Sequence, residues 1–361
     1  MKEYKRLGDY IREVNVRNRE LEVTKLVGLT IDKVFIPSVA NVIGTDLSNY
    51  KIIRKEQFAC SLMQVSRDGK MPVAMFEEDE AIMSPAYPMF EVIDKTALLA
   101  QYLMMWFSRS EFDREASYYA VGGVRGSLTW EDFCNMRLPI PSITRQREIV
   151  AEYETLTRRI RINEQMIQNL ESTAQTLYRK MFVDGIDKEN LPDGWRMGTL
   201  GEVATFKYGK LADKYPKSSK FPYPVFSGYA ITGYTNEYTL EERTIVIIAR
   251  GDAGTGRICM SPQRCFLSNL AIAIETKDMA IKDYLYYHLL DSDTMSLRSG
   301  SAQAQITINN IEPFEITIPS NEICIVFSQC VESLYNDILL RTEENLKLNE
   351  LQSLLLAKMG Q

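Results

Sequence analysis

The sequence repeats itself, and this internal repeat limits the possible folds more than any other feature. Three segments of the first half recur in the same order in the second half: "LGDYIREV" (7–14) as "LGEVATFK" (200–207), "LTWEDFCNMRLPIP" (128–141) as "ITINNIEPFEITIP" (306–319), and "LYRKM" (177–181) as "LLAKM" (355–359). The first pair lies 193 residues apart and the other two lie 178 apart, so the second half has shorter loops between the same elements. Each half therefore predicts one globular segment followed by a long helix.

The two long helices carry the clearest hydrophobic periodicity. In the first helix, spacings of three and four continue over four heptads: Tyr153, Leu156, Ile160, Asn163, Ile167, Leu170, Ala174, Leu177 and Met181. Asn163 is a polar seam residue of the kind that sets the register of a coiled coil. The second helix keeps matching positions, interrupted by Arg341, Asn345 and Gln352: Val331, Leu334, Ile338, Leu348, Leu355 and Met359. The pattern predicts that the helices pair as a coiled coil. The alternative is two amphipathic helices that each cap their own domain.

These patterns define an α/β (α+β) chain with two similar globular domains. The predicted limits are 1–142 for the first domain, 143–182 for the central helix, 183–320 for the second domain and 321–361 for the final helix. A helix of about 40 residues spans roughly 60 Å. One turn of B-DNA measures about 34–36 Å. A rod of this size with a similar domain at each end suits two separated sites on one duplex.

Composition excludes several classes of function. The chain has 361 residues and a net charge of −6, which is the wrong overall sign for DNA binding unless a local surface is basic. No apolar run near 18 residues is evident and the N-terminus is charged, so we expect no membrane span, no secretory signal and a cytoplasmic location. The six cysteines form no C-x-x-C pair, so a zinc site is not expected. The only histidine, His288, lies in an aromatic helical stretch and predicts a packing role.

Basic and amide side chains indicate a nucleic-acid surface in each half. The loop "FKYGKLADKYPKSSKF" interleaves lysines with tyrosines, and the basic segment "VRNRELEVTK" stands at the matching place in the first half. Lysine and arginine suit phosphates, and amides suit base edges. The candidate DNA-binding residues are Arg17, Asn41, Thr45, Lys51, Arg67, Arg125, Lys207, Tyr208, Lys210, Lys214, Arg250 and Gln303. The alternative is that the lysines lie on a solvated loop and that the amides make turns.

The glycine-rich stretch "IARGDAGTGRI" (248–258) allows a different hypothesis. Gly251 and Gly256 have the spacing of a phosphate-binding loop, so a nucleotide-dependent enzyme using residues from Gly251 to Arg257 is one alternative function. The loop lacks the Gly-Lys-Ser/Thr sequence, and its counterpart is "VSRDGKMPV", with Arg67 aligned to Arg250. A turn between two strands is therefore predicted. A noncatalytic protein scaffold is the third hypothesis, favoured if Lys207, Lys210 and Arg250 share no basic surface.

The whole chain resembles the specificity (S) subunit of type I restriction–modification systems, the HsdS family. The resemblance rests on the repeat and on local motifs: "IPSVANVIGTDLSNYK", "FACSLMQVSRDGKMPVAMF", "SPAYPMFEV", "YLMMWFSRSEFDR" and "VRGSLTWEDF" in the first half, and "LGEVATFKYGK", "YPVFSGYAITGYTNEY", "IVIIARGDAGTGRI" and "GSAQAQITINNI" in the second. It implies two target-recognition domains joined by an antiparallel pair of helices.

The resemblance also implies a noncatalytic subunit that reads a bipartite target in double-stranded DNA. Two methyltransferase (M) subunits would dock on it, together with restriction (R) subunits in the restricting complex. S-adenosylmethionine and ATP would belong to these partner subunits, and no cofactor or metal is expected in this chain. Exposed arginines of the central helix, Arg158, Arg159 and Arg161, could meet such partners or could simply be solvated.

Overall fold

The chain divides into two units, each of which combines residues that are distant in sequence. The computed structural model describes residues 4–38, 44–63, 65–122, 126–212, 215–218, 220–251, 254–299 and 304–360. Unit 1 comprises Met1–Glu164 and Glu343–Gln361, and unit 2 comprises Gln165–Thr342. Each long helix therefore contributes one part to each unit.

Unit 1 is built around a four-stranded antiparallel sheet. The strands are β1 (Tyr4–Arg6), β2 (Ile11–Val14), β3 (Val27–Leu29), β4 (Phe35–Pro37), β5 (Lys51–Arg54), β6 (Phe58–Cys60), β7 (Val73–Met75), β8 (Glu80–Met83), β9 (Met89–Val92) and β10 (Arg137–Pro139). The short helices are α1 (Val65–Asp68), α2 (Ala100–Phe107), α3 (Ser110–Tyr119) and α4 (Trp130–Asn135). The main sheet has the order β2-β9-β6-β7, and the pairs β1–β10, β3–β4 and β5–β8 stand apart from it.

Aromatic side chains hold the core of unit 1 together. The rings of Phe58 and Phe90 stack across β6 and β9 with their centroids 5.0 Å apart. Phe107 from α2 and Phe133 from α4 pack on this pair from the helical side. Aromatic contacts of this kind add to the stabilisation that burial alone provides. The sheet and its covering helices thus form one continuous core.

The long helix α5 (Ile143–Phe182) links unit 1 to the elements of unit 2. Unit 2 contains β11 (Arg196–Thr199), β12 (Ala204–Tyr208), β13 (Tyr223–Phe226), β14 (Ile231–Thr235), β15 (Ile245–Ile248), β16 (Ile258–Met260), β17 (Phe266–Leu267), β18 (Ala271–Thr276) and β19 (Glu315–Ile318). Its short helices are α6 (Leu200–Val203), α7 (Lys282–Asp291) and α8 (Ile308–Ile311), and the long helix α9 (Asn321–Met359) follows. The sheets have the orders β12-β18-β15-β16, β14-β13-β17 and β11-β19.

The two main sheets have the same strand order, and equivalent hydrogen bonds fix the correspondence between the halves. The amide of Leu7 donates to the Met136 carbonyl at 2.8 Å, as the amide of Leu200 donates to the Phe314 carbonyl at 2.9 Å. These pairs reproduce the offsets of 193 and 178 residues found in the sequence. The predicted fold class, with two similar α/β domains each followed by a long helix, is confirmed.

The long helices begin where the sequence pattern places them. Helix α5 has the predicted bounds, and α9 begins at Asn321 as predicted. The globular limits 1–142 and 183–320 stay a prediction, because the division into units falls within the long helices.

Burial along both long helices follows the predicted seam. Every seam residue named for α5 is half-buried or buried, as are Val331, Leu334, Ile338, Leu348, Leu355 and Met359 of α9. Arg341, Asn345 and Gln352 are half-buried at the same spacing, so they continue the seam with polar side chains.

Within each unit, α5 and α9 run antiparallel. In unit 1, Gln352 Nε2 donates to Thr157 Oγ1 at 2.7 Å, and Asn163 Nδ2 donates to Asn345 Oδ1 at 2.9 Å. In unit 2, the rings of Phe182 and Phe327 meet at 5.2 Å. Asn345 and Gln352, two of the polar residues that interrupt the apolar pattern of α9, are therefore hydrogen-bonded to partners on α5, whereas Arg341 pairs with Asp337 of its own helix.

Helix α9 corrects the expectation that the chain lacks an apolar segment of membrane length. One helix, Asn321–Met359, is long and apolar enough to cross a membrane by length and composition, with a hydropathy of 1.3 over the best window. In unit 2 its side chains Cys324, Phe327 and Val331 pack into the core. Some of its apolar side chains thus belong to the core of unit 2.

The buried amide of Asn163 provides a test of the polar seam. Asn163 is 0% exposed and donates to Glu344 and Asn345. We expect Asn163→Ala to lower the free energy of unfolding by about 1–3 kcal/mol, because buried polar partners lose a hydrogen bond. Urea unfolding followed by circular dichroism measures the effect. Glu164→Ala, on an exposed position of the same helix, is the control. Equal stability of the two variants would contradict the role of Asn163.

Candidate nucleic-acid interface

One end of the main sheet of unit 2 brings together the chain segments next to β12, β15 and β16. The register pairs Tyr208 with Ile272, Ile248 with Ala271, and Ile247 with Ile258. Because neighbouring strands are antiparallel, the ends of β12 and β15 meet the beginnings of β18 and β16 there. The segments that leave β12 and β15, and the one that enters β16, therefore lie side by side.

A fourth segment closes this end of the sheet. Ile306 donates its amide to the Ala249 carbonyl at 2.9 Å, and Arg250 and Gln305 form a bridge. Ile308 donates its amide to the Tyr208 hydroxyl at 3.1 Å. The result is one surface, here called the sheet-end surface, formed by Tyr208, Lys210, Arg250, Arg257 and Gln305.

The sheet-end surface is exposed and positively charged. All five of its residues are exposed, and Lys210, Arg250 and Arg257 make no ion pair within the described part of the chain. Tyr229, which is 60% exposed, and Arg257 line a small cavity of about 240 Å³ beside it. Exposed cations bind phosphates, and exposed tyrosines and amides can contact sugars or bases. The arrangement has the chemistry of a nucleic-acid contact surface.

The glycine-rich stretch forms the hairpin between β15 and β16. Gly256 donates its amide to Ile248, and the Ile248 amide donates to Arg257. The Arg257 amide donates to the carbonyl of Gly254 at 2.9 Å. A phosphate-binding loop needs free backbone N–H groups at the start of a helix. Here these amides are used in the turn and Arg257 leads into a strand, so the hypothesis of a nucleotide site at this loop is wrong.

Two glycines are required by close packing around the sheet end. Gly256 has a φ of +93°, and a Cβ there would lie 3.1 Å from the Cα of Met295. A Cβ on Gly209 would lie 2.0 Å from the Ser268 carbonyl oxygen. Only glycine allows the backbone at 209 to approach this carbonyl. The approach places the following residue, Lys210, beside β17, where its amide donates a hydrogen bond to the Leu267 carbonyl.

In unit 1 the equivalent sheet end has different side chains. The strand registers place Arg17 at the position of Lys210, Met63 at that of Arg250, and Pro72 at that of Arg257. Arg17 is half-buried, and its Nη1 donates to the Asn49 carbonyl at 2.5 Å. The backbone is repeated between the units, but the charge is not.

Two of the predicted DNA-binding residues need correction. Lys51 is only 6% exposed, and its Nζ donates to the Tyr87 carbonyl at 2.8 Å. Its ammonium therefore binds a backbone carbonyl inside unit 1 and does not face a ligand. Burial lowers the pKa of Lys51, and Arg17 nearby lowers it further. Arg67 does not correspond to Arg250: it lies on α1 and pairs with Asp68 at 2.7 Å, whereas Met63 holds the equivalent place.

The other predicted residues divide into three groups. Tyr208, Lys210 and Arg250 lie together on the sheet-end surface. Lys207 is exposed but pairs with Glu275 at 2.6 Å, and Thr45 is exposed in unit 1. Asn41, Arg125, Lys214 and Gln303 lie outside the described residues.

Sequence reasoning missed Arg257 and Tyr229 as members of the site. Arg257 was noted only as a neighbour of the glycines, although a cation directly before a hairpin strand is a usable signal. Nothing in the sequence near Tyr229 indicates its position, because the segment that carries it reaches the site through β13 of a different sheet.

The single histidine is packed among aromatic side chains. Burial lowers the pKa of His288 to about 4, and the Tyr178 hydroxyl lies 2.9 Å from its Nδ1. The ring stacks on Tyr284, which confirms the predicted packing role. Among the described residues no group of His, Cys, Asp and Glu could hold a metal ion. The six cysteines are free; Cys330 is exposed, and Cys60, Cys265 and Cys324 are fully buried.

A family model matches the second half of the sequence. Residues 192–350 match the family model of the type I restriction modification DNA specificity domain. This part of the chain resembles a type I DNA specificity domain. The predicted resemblance to type I specificity subunits is thereby confirmed, and with it the broad function class of DNA target recognition. No curated protein matches the sequence.

A solved structure of a specificity subunit shares the fold. The S subunit of the type I restriction–modification system from M. genitalium aligns with a TM-score of 0.63 and 15% identity, over 100% of this chain and 96% of that chain. The HsdS subunit from Thermoanaerobacter tengcongensis aligns with a TM-score of 0.38 and 18% identity, over 99% of this chain and 96% of that chain.

The close approach at Gly209 leads to a prediction about the sheet-end surface. We expect Gly209→Ala to lower the free energy of unfolding by about 1–3 kcal/mol, because the added methyl group overlaps the Ser268 carbonyl and forces the backbone apart. DNA affinity should fall as well, since Lys210 moves. Urea unfolding and fluorescence anisotropy with a mixed-sequence duplex measure both effects. Gly28→Ala is the control, because a Cβ there meets its nearest atom only at 3.9 Å. Equal behaviour of the two variants would contradict the prediction.

His288 should make unit 2 less stable in acid. Its pKa in the folded chain is about 4, below the usual 6.5, so the unfolded chain binds the proton more readily. The stability that depends on the neutral ring is complete above about pH 6.5 and is lost as the pH falls towards 4. Between pH 7 and pH 4.5, the free energy of unfolding should fall in both the parent chain and His288→Gln. We expect the fall to be about 1–3 kcal/mol smaller in the variant. Urea titrations at both pH values measure this, and parallel losses would show that His288 does not contribute.

Proposed function

We propose that this chain is the noncatalytic DNA-reading subunit of a type I restriction–modification complex. Each globular domain would contact one half of a split target in double-stranded DNA. The observation that carries the proposal is the recurrence of one sheet, with the same strand order and the same closing hydrogen bond, in both units. A chain that builds the same sheet twice is suited to two half-sites.

The sheet-end surface supports DNA over the scaffold alternative. That alternative is favoured if Lys207, Lys210 and Arg250 share no basic surface. Lys210 and Arg250 lie at the same end of the sheet, together with Arg257. Only Lys207 is removed from it, by its ion pair with Glu275. The exposed cations would contact phosphates, while Tyr208 and Gln305 would contact sugars or base edges.

A groove that recurs in both units supports the recruitment of two copies of one partner. In unit 1 it holds about 620 Å³ between β7, α2 and α5, and in unit 2 about 540 Å³ between β16, α7 and α9. Tyr102 and Tyr284 anchor α2 and α7 in the same way, through hydroxyl bonds to the carbonyls of Pro139 and Thr317.

Equivalent positions line the two grooves. They are Met75, Gln101, Met104, Met105, Val150, Tyr153, Glu154 and Thr157 in unit 1, and Met260, Asp283, Tyr286, Tyr287, Ser328, Val331, Glu332 and Tyr335 in unit 2. Methionine and tyrosine are typical of protein interfaces. Two methyltransferase subunits would dock here, with Arg158 and Arg161 at the rim of the first groove. S-adenosylmethionine and ATP would be bound by these partners and by restriction subunits, in the cytoplasm.

Methylation mapping tests the proposal. The full chain is expressed with its methyltransferase subunit in a host that lacks both, and modified adenines are mapped across the genome. We expect a motif with two separated half-sites that is lost when this chain is omitted. Adenine methylation that persists without the chain, or a continuous motif, would contradict the proposed function.

A second variant in the same experiment tests the helices. Deleting one heptad from both α5 and α9 should change the length of the spacer between the half-sites, if the helices set their separation. The two half-site sequences should stay the same, because the sheet ends are untouched. An unchanged spacer would mean that the helices do not determine it.

A further inference from the structure

We infer that the two domains contribute unequally to DNA affinity: the sheet-end surface of unit 2 supplies most of the phosphate-neutralising charge, and the equivalent end of unit 1 supplies little. This inference rests on the proposed function, since it concerns the same DNA-reading ends. It goes beyond that function because two repeated domains would by default contribute equally to the neutralisation of DNA phosphates.

The strand registers make the comparison residue by residue. Ile11 and Ala204 begin the equivalent strands β2 and β12, which places Arg17 opposite Lys210 in the alignment of the two units. Leu128 donates to Leu62 as Ile306 donates to Ala249, so the next residues, Met63 and Arg250, are equivalent. Val73 and Ile258 begin β7 and β16, so Pro72 precedes one strand where Arg257 precedes the other.

At these three positions the charges differ. Unit 2 has Lys210, Arg250 and Arg257, all exposed and without an ion pair among the described residues. Unit 1 has one cation and two uncharged residues. The guanidinium of Arg17 is bound to the Asn49 carbonyl, and Met63 is 62% exposed.

Among the described residues of unit 1, Lys70 and Arg67 are engaged in ion pairs. Lys70, in the same connection between β6 and β7 as Met63, pairs with Asp32 at 3.2 Å. Arg67 pairs with Asp68 at 2.7 Å. Arg19, two residues after Arg17, is exposed. It is the one cation near this strand end that makes no ion pair with another described residue.

The acidic total charge makes the difference important. With a net charge of −6, the chain as a whole repels DNA, so association depends on local cations. Each phosphate that a cation neutralises releases counterions and adds about 0.9 to the slope of log K against log salt. A domain with three exposed cations at its sheet end therefore binds with a steeper salt dependence than one that reads through uncharged groups.

Salt titration of the full chain tests the inference. The probe is a 40-base-pair mixed-sequence duplex, and binding is followed by fluorescence anisotropy over a range of salt concentrations. The variant Lys210→Ala/Arg250→Ala/Arg257→Ala should lower the slope by about 2.7, the value for three phosphate contacts. The matched control Arg17→Ala/Arg19→Ala/Lys70→Ala removes the same net charge from unit 1 and should lower the slope by less than about 1.

A gain of charge tests the same idea in the opposite direction. Met63→Arg places in unit 1 the cation that Arg250 provides in unit 2, and it should raise the slope by about 0.9. Met63→Gln is its uncharged control. Met63→Arg keeps the inference testable if the triple alanine variant does not fold. Substitution of Lys210, Arg250 and Arg257 by glutamine serves the same purpose.

The outcomes separate the inference from the proposed function. Equal losses of slope in the two triple variants, or a larger loss in the unit 1 control, would overturn the unequal contribution and leave DNA recognition intact. Failure of the unmodified chain to bind the duplex at low salt would contradict both. A slope that does not change with Met63→Arg would also count against the inference.

Discussion

The antiparallel backbone ladder of the four-stranded sheet is the constraint on which the rest of each domain depends. Because neighbouring strands run in opposite directions, loops that are far apart in sequence come together at one end of the sheet. A single backbone bond, from Leu128 to Leu62 in unit 1 and from Ile306 to Ala249 in unit 2, then ties the following segment to that end. The candidate interface is therefore built by backbone geometry and differentiated by side chains.

The glycine-rich hairpin illustrates why a local motif needs its context. Gly256 is required by close packing against Met295, and the amides of Ile248, Gly256 and Arg257 are used within the turn. Anion binding by a loop needs the opposite situation, with amides that point outwards at the start of a helix. What the hairpin offers to a ligand is instead the exposed side chains at its base, Arg250 and Arg257.

Much of the fold could be predicted from the sequence, but the site could be predicted only in part. The repeat and the helix seam depend on local periodicity, so α5 and its buried positions followed from the pattern alone. Lys51 was placed wrongly because a lysine in a polar segment gives no sign that its ammonium will meet a buried carbonyl. The alignment of Arg67 with Arg250 failed because α1 is inserted in that connection, which shifts the equivalence to Met63.

By itself, the sequence determined that this chain contains two related α/β domains and two long seam helices, because spacing and self-similarity survive without knowledge of long-range contacts. It also predicted neither a zinc site nor histidine-based catalysis, because the residues that these require are scarce. Only the tertiary structure decided which cations are available. Lys210 and Arg250 are exposed together, whereas Lys51 and Arg17 are engaged by carbonyls of neighbouring segments. The physical reason is that availability depends on partners brought close by strand pairing between segments distant in sequence.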